Sequence, residues 1–168
     1  MTKLSSAIQQ QAAARLHQAI SQAEQCLGIS LPIPLLRFNQ RGRIAGSARL
    51  KDYEIRLNPV LLAENTEEFM REVIPHELCH LLVWRLYCRG MRTRSVKPHG
   101  KEWKTLMRDI FGLQGKACHQ MDIDSVQGRQ FDYRCECGPL KLTIRRHNNV
   151  LKGVRYICRA CKHPLQAL

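Results

Sequence analysis

The run Val73-Ile74-Pro75-His76-Glu77-Leu78-Cys79-His80-Leu81-Leu82-Val83-Trp84 constrains this chain more than any other stretch. It sets His-Glu-x-x-His inside an apolar, helix-compatible sequence. On a helix, residues four apart lie one above the other on the same face. His76 and His80 can therefore aim two imidazoles at one metal ion. Glu77 falls to the side, where it can reach a water on that metal instead of the metal itself. Two neutral nitrogens and a flanking carboxylate are the donor set for zinc-assisted amide hydrolysis. Glu77 is thus the candidate catalytic residue, with His76 and His80 as candidate zinc ligands.

A catalytic zinc with one open position needs a third protein ligand. His99, in Pro98-His99-Gly100-Lys101-Glu102-Trp103, is the best candidate. It stands at or just before a helix N-terminus, whose positive end disfavours a protonated ring. His119, Cys118 and Glu102 are its rivals. Cys79 reads as a small buried side chain, because the two motif histidines already occupy the metal-facing side.

Around this motif the periodicity alternates between helix and strand. Apolar residues at helical spacing predict a packing helix over residues 5–26 with Gly28 as its stop. Pro32 and Pro34 end that pattern, and strands are expected over residues 35–39, 44–50 and 53–57. Asn65 with Glu68 resembles a capping box opening the motif helix, and Pro75 predicts a kink just before His76. Residues 88–98 have little apolar content and read as an exposed basic loop. A second helix is expected over residues 100–111, with Trp103, Leu106, Met107 and Ile110 inward and Gly112 as the stop. The fold class is α+β, with a core over residues 1–125 and a separate unit over residues 126–168.

That last unit carries Cys135-x-Cys137 and Cys158-x-x-Cys161. Two short cysteine knuckles joined by a hairpin-like span are the pattern of a zinc ribbon, with all four thiolates on a structural zinc. The hairpin is expected between the pairs: residues 140–144 outward, a turn at His147-Asn148-Asn149, and residues 150–157 returning. So short a segment has too little core to fold alone, and the metal would hold it together.

Charge points to a polyanionic partner. The 168 residues hold 27 Lys and Arg against 14 Asp and Glu, a formal +13. Nucleic acid is the first expectation and an acidic membrane the second. The cations are dense in the last unit, where Arg134, Lys141, Arg145, Arg146, Lys152, Arg155 and Arg159 are candidate DNA contacts. Tyr133 and Tyr156 interleave with them and are expected to stack on bases. No apolar h-region opens the chain and no run approaches the ~18 apolar residues of a membrane span, so a cytoplasmic or nucleoid-associated protein is expected. In that compartment, clustered cysteines read as metal ligands and not as disulfides.

Taken together, Tyr53-Glu54-Ile55-Arg56-Leu57-Asn58-Pro59, the histidine motif, Pro98 to Trp103, Arg145-Arg146-His147-Asn148 and the terminal cysteine pairs resemble the bacterial SprT family along essentially the whole chain. Over the metalloprotease core it is also similar to the eukaryotic Spartan proteases. The resemblance implies a zincin-like core with metal on His76, His80 and His99, a base at Glu77 and a C-terminal zinc ribbon. It further implies cleavage of proteins bound or crosslinked to DNA. Two other readings stand beside this one. In the first, a non-catalytic DNA-binding regulator has its fourth zinc position filled by Cys79 or Cys118. In the second, the ribbon binds RNA. The histidine site also suits cobalt or manganese.

Overall fold

The computed structural model describes residues 4–89, 96–116, 121 and 123–168. Cys118 and His119, and residues 90–95 of the expected basic loop, lie outside the described residues. The chain divides into two compact units, Met1–Val126 and Gln127–Leu168. Among the described residues no helix is long and apolar enough to cross a membrane.

The first unit opens with helix α1, Ser6–Leu27. Ser5 caps its start by accepting from the Ile8 N–H, and Gly28 ends it in the left-handed region at φ 67°. Ala12, Leu16, Ala19, Ile20 and Ala23 form its buried face. The small sheet has the order β1-β3-β2, with β1 at Leu35–Arg37, β2 at Gly46–Arg49 and β3 at Glu54–Leu57. Central β3 pairs parallel to β1 and antiparallel to β2, so the sheet is mixed. Buried Glu54 on β3 ion-pairs with Arg37 at 2.7 Å and with Arg56. The outer edge of β2 is left facing the motif helix.

A short helix that the periodicity does not announce follows at once: α2, Pro59–Glu64. Asn58 caps it by accepting from the Val60 and Leu61 N–H groups, and proline at the first helical position suits the start. The capping box expected at Asn65 does not form. Asn65 is consumed as the end of α2, its side chain donating to Leu61 O at 3.1 Å, and it gives no side-chain cap to the next turn. That turn, α3 at Thr66–Glu68, runs into a π-helical segment, Phe69–Val73, and then into α4, Ile74–Leu86, which carries the motif. The feature expected as a proline kink is this π segment. Widening the turn to an i→i+5 bond, Ile74 N–H to Phe69 O, accommodates the proline ring that follows. Helix α5, Lys101–Phe111, closes the unit. Gly112 ends it at φ 65°, with Leu113 N–H returning to Met107 O. Ile74, Leu78, Leu81 and Leu82 of α4 and Trp103 and Leu106 of α5 meet α1 and the sheet in one continuous core.

The second unit is a three-stranded sheet, order β5-β4-β6, with β4 at Gln130–Cys135, β5 at Gly138–Thr143 and β6 at Gln166–Ala167. The hairpin is not the one expected. It turns through Glu136-Cys137, inside the first cysteine pair, with Cys135 opposite Gly138. Gly138, at φ 129°, permits that tight return. Residues expected to turn and come back as a strand form helix α6, Ile144–Leu151. The alternation of Leu140 and Leu142 stops at Thr143. From Ile144 the spacing to His147 and Val150 is helical, and His147 stacks flat on Phe131 of β4 at 3.6 Å. That contact lies on the same face of the hairpin as Tyr133, whose hydroxyl meets His147 Nδ1 at 3.1 Å.

Candidate functional site

The π turn and α4 deliver His76 and His80 one helical turn apart, and the segment before α5 delivers His99 to the same point. The three rings sit with centroids 4.8–5.0 Å apart, and His76 Nε2 lies 3.1 Å from His99 Nε2. Their ligating nitrogens all fall within 4.8 Å of one another. A tetrahedral ion with metal–nitrogen bonds of about 2.05 Å would set nitrogens ~3.3 Å apart, so the donor set fits zinc. Among the described residues this cluster holds three imidazoles and no fourth donor. Glu102 is not a member, and neither is Cys79, which is fully buried and whose thiol is pushed up by that burial.

Electrostatics keep the site ready for a cation. Desolvation, with the neighbouring His76 and His99 rings adding to it, lowers His80 to about 3. Burial lowers His99 as well. Neutral rings keep a lone pair free for metal. Trp103, expected only as a packing residue, lies against all three rings at centroid distances of 4.6, 5.6 and 4.8 Å. Its indole N–H donates to His76 O at 3.2 Å, which ties α5 to the first ligand.

Glu77 is buried beside the cluster. Burial pushes its carboxyl up to about 8, opposed by a hydrogen bond from the Ala48 backbone N–H on the free edge of β2. A divalent cation on the imidazoles would act in the same sense as Ala48, favouring the carboxylate. Gly46, two residues earlier, makes room for this approach. A Cβ there would lie 3.0 Å from Glu77 Cγ and 3.1 Å from Val73 Cγ1. Neither Ala48 nor Gly46 carries a signal in the sequence, because one acts through its backbone and the other through a missing side chain.

These groups line a cleft of about 1280 Å³. Strand β2 runs along it. Val83, Trp84, Met107 and Leu113 give it an apolar wall, and Arg43, Lys97 and Lys116 add positive charge. Asn58 fixes the Arg43 side of the cleft by donating to Gly42 O at 2.7 Å and Ile44 O at 3.3 Å. An Asn-Pro pair signals a helix start, and the second task of that amide shows only in three dimensions.

In the second unit the four thiols of Cys135, Cys137, Cys158 and Cys161 converge, with every Sγ within 4.8 Å of the others. Cys135 and Cys137 are 3.1 Å apart, and Cys137 and Cys158 are 3.5 Å apart. The His163 backbone N–H holds Cys161 down to about 5, and the Cys161 and Ala160 N–H groups lower Cys158. Cys137 is pushed up to about 12, because it keeps a proton to share with Cys135 and the other thiols. One divalent cation in place of that proton satisfies all four, and the donor set fits zinc.

The candidate nucleic-acid residues divide between two faces. Arg134 and Lys141 project from the open face of the β4–β5 hairpin, where Lys141 stands opposite Asp132. Arg145 and Arg146 lie on α6, which packs on the other face. Arg146 sits over Tyr156 at 5.9 Å, and Asn149 donates to the Tyr156 hydroxyl. The expected stacking role of Tyr133 does not survive, because that ring is 1% exposed and belongs to the small core.

Fold and site together define an α+β chain with two centres of metal-ligating side chains, one of imidazole and one of thiol. The chain belongs to the SprT-like family, whose model matches residues 10–122, and residues 129–168 match the SprT-like zinc ribbon domain. It is 47% identical over 167 residues to Protein SprT of Escherichia coli (strain K12) and to Protein SprT of Shigella dysenteriae serotype 1, covering 99% of this chain and 98% of each relative. No solved structure gives a significant match.

Proposed function

We propose that this protein is a zinc-dependent endopeptidase with a zincin-like core that acts on proteins bound to DNA. The observation that carries the reading is the convergence of His76, His80 and His99 at one point, beside a buried carboxylate that is not one of the ligands. A purely structural metal site has no use for such a group.

When bound, zinc supplies Lewis acidity toward a water and toward the scissile carbonyl. His76, His80 and His99 would hold it as neutral donors. Glu77 Oε accepts the proton of the attacking water and hands it to the leaving amine nitrogen. The Ala48 N–H aims that carboxylate and favours its ionised form against the effect of burial. Strand β2 offers its backbone edge to an extended peptide, a mode in which main-chain bonds give affinity and flanking pockets give selectivity. The apolar wall of the cleft keeps bulk water from competing.

DNA as the surface on which substrates are met rests on charge. Residues 127–168 hold nine Lys and Arg against two acidic residues, a formal +7 before any thiol ionises. Such density on so small a unit suits the phosphate backbone.

Glu77→Gln is the test. The variant should keep metal at the histidine site and lose DNA-stimulated cleavage of a protein substrate by ~10²–10⁴-fold, the range of a general base. Cleavage at the parent rate would refute the assignment of Glu77.

A further inference from the structure

The π segment leaves one carbonyl without a partner in its own helix. In an α-helix Met70 O would accept from the Ile74 N–H. Here that N–H goes to Phe69 O. In a continued π register the donor to Met70 O would be residue 75, which is proline and has no N–H. Both intrahelical donors are therefore gone, one residue turn before the first metal ligand. Leaving a carbonyl unpaired away from water costs as much as a lost hydrogen bond.

Arg15 fills the gap from α1, 55 residues away in sequence: its Nε–H donates to Met70 O at 2.8 Å. The same guanidinium lies 5.9 Å from the ring centroid of Phe111, the last residue of α5, and its Nη1 reaches Gln22 Oε1 at 3.3 Å. It is half-buried, and burial lowers its pKa, so it is held in a partly dry seat. One side chain thus touches the turn that leads into His76 and the end of the helix that follows His99.

We propose that Arg15 is a positioning residue for the histidine metal site, supplying the hydrogen bond that Pro75 cannot and so fixing the π turn. The turn matters because each residue on a helix is worth 100° of rotation. A π turn that relaxed to α would change the phase between Phe69, anchored in the core, and His76, aimed at His99. The arrangement is a matched pair: Pro75 forces the wide turn and Arg15 completes it.

The inference rests on the reading of His76, His80 and His99 as a metal site, but not on peptidase activity. Its test is a double-mutant cycle of Arg15→Leu and Pro75→Ala on the full chain. The readout is cobalt affinity of the histidine site by chelator competition, with the visible Co²⁺ spectrum as a check on geometry. Thiolate-to-cobalt absorption from the ribbon serves as internal reference. Arg15→Leu alone should weaken cobalt binding at the imidazoles by about tenfold or more, the range for groups that orient ligands. With Pro75→Ala present, position 75 regains an N–H, and Arg15→Leu should then cost little. Equal losses in both backgrounds, or none in either, overturn the proposal. If Arg15→Leu alone does not fold while the double variant folds and binds, the pairing is supported; if neither folds, Arg15→Lys, which keeps charge but moves the donor, must still show the weakened site. A parent chain that binds cobalt only through its thiols would instead sink the metal-site reading.

Discussion

The two metal centres of this chain are built in opposite ways. The imidazole centre stands on a core that exists without it. Leu78, Leu81 and Leu82 of α4 and Trp103 of α5 are fully buried around the ligands, among some two dozen buried apolar residues of the first unit. The thiol centre has almost nothing beneath it: Tyr133 and Leu142 are the buried apolar side chains of the second unit among the described residues. In the first unit the protein itself positions the imidazoles. In the second, with so little core, a metal on the thiols would have to position the protein.

Metal removal should separate them by the largest margin. Structural zinc in small thiolate domains contributes ~10–16 kcal/mol of apparent folding free energy. A strong chelator should therefore abolish amide protection across β4, β5 and α6 while leaving α1, α4 and α5 protected. Segment-resolved hydrogen exchange reads both units in one experiment. Persistent protection in the hairpin after both metals are gone would break the contrast.

The same difference governs what was legible in the sequence. Where burial follows periodicity, sequence and structure agree: α1, α5 and their glycine stops at Gly28 and Gly112 stand where apolar spacing puts them. The convergence of His99 on His76 and His80 was also readable, because His99 stands just before a helix of its own, where its ring stays neutral, although His119 was among its rivals. The failures are tertiary. Asn65 has the composition of a cap but is already spent on α2. Pro75 announces a disturbance without saying that a π turn will absorb it, and the carbonyl it orphans is satisfied from α1. In the ribbon, His147-Asn148-Asn149 has turn composition, yet the stack of His147 on Phe131 and the bond of Asn149 to Tyr156 make it a helix. With so little core, each such contact weighs more there than any propensity. The one-residue spacer of the first cysteine pair is the cue to the observed hairpin, because it leaves Glu136 and Cys137 as a two-residue turn.

A pH titration of the metal-free protein should sharpen the contrast through its sign. In the first unit Glu77 is held near 8 from an ordinary value of 4.5, so above pH 4.5 the unfolded chain loses a proton that the folded chain keeps. Stability contributed by neutral Glu77 is full below that value and lost as pH rises toward 8. His80, lowered to about 3, works the other way, but only below its unfolded value of 6.5. Between pH 6.5 and 8 the Glu77 effect stands alone, and at 1.36 kcal/mol per pH unit it is worth about 2 kcal/mol. Trp84 and Trp103, the two tryptophans of the chain, both lie in the first unit and report its urea midpoint. That midpoint should fall across this window in the parent and stay level in Glu77→Gln. The second unit, which loses its fold with its metal, adds no transition of its own to this titration. A midpoint that falls equally in Glu77→Gln would show that another group carries the pH dependence.

The smallest effect tests the two faces of the ribbon against each other. On single-stranded DNA each phosphate neutralised adds about 0.7 to the slope of log affinity against log salt. On α6, Arg145 and Arg146 are exposed and flank no acidic residue of that helix, whose sequence holds none. On the open face of the hairpin, Lys141 stands across from Asp132, which offsets its charge, and only Arg134 remains uncompensated within the paired register. Replacing Arg145 and Arg146 together by alanine should therefore flatten the salt slope for single-stranded DNA by about 1.4, and replacing Arg134 and Lys141 together by about 0.7. The exposed apolar side chains Ile144, Leu151 and Val154 lie on or just after α6 and can shed water against unstacked bases, so the α6 pair should also cost more on a single strand than on a duplex. Equal slopes for the two pairs would mean that the unit binds through its net charge and that the placement of α6 over the hairpin serves the fold alone.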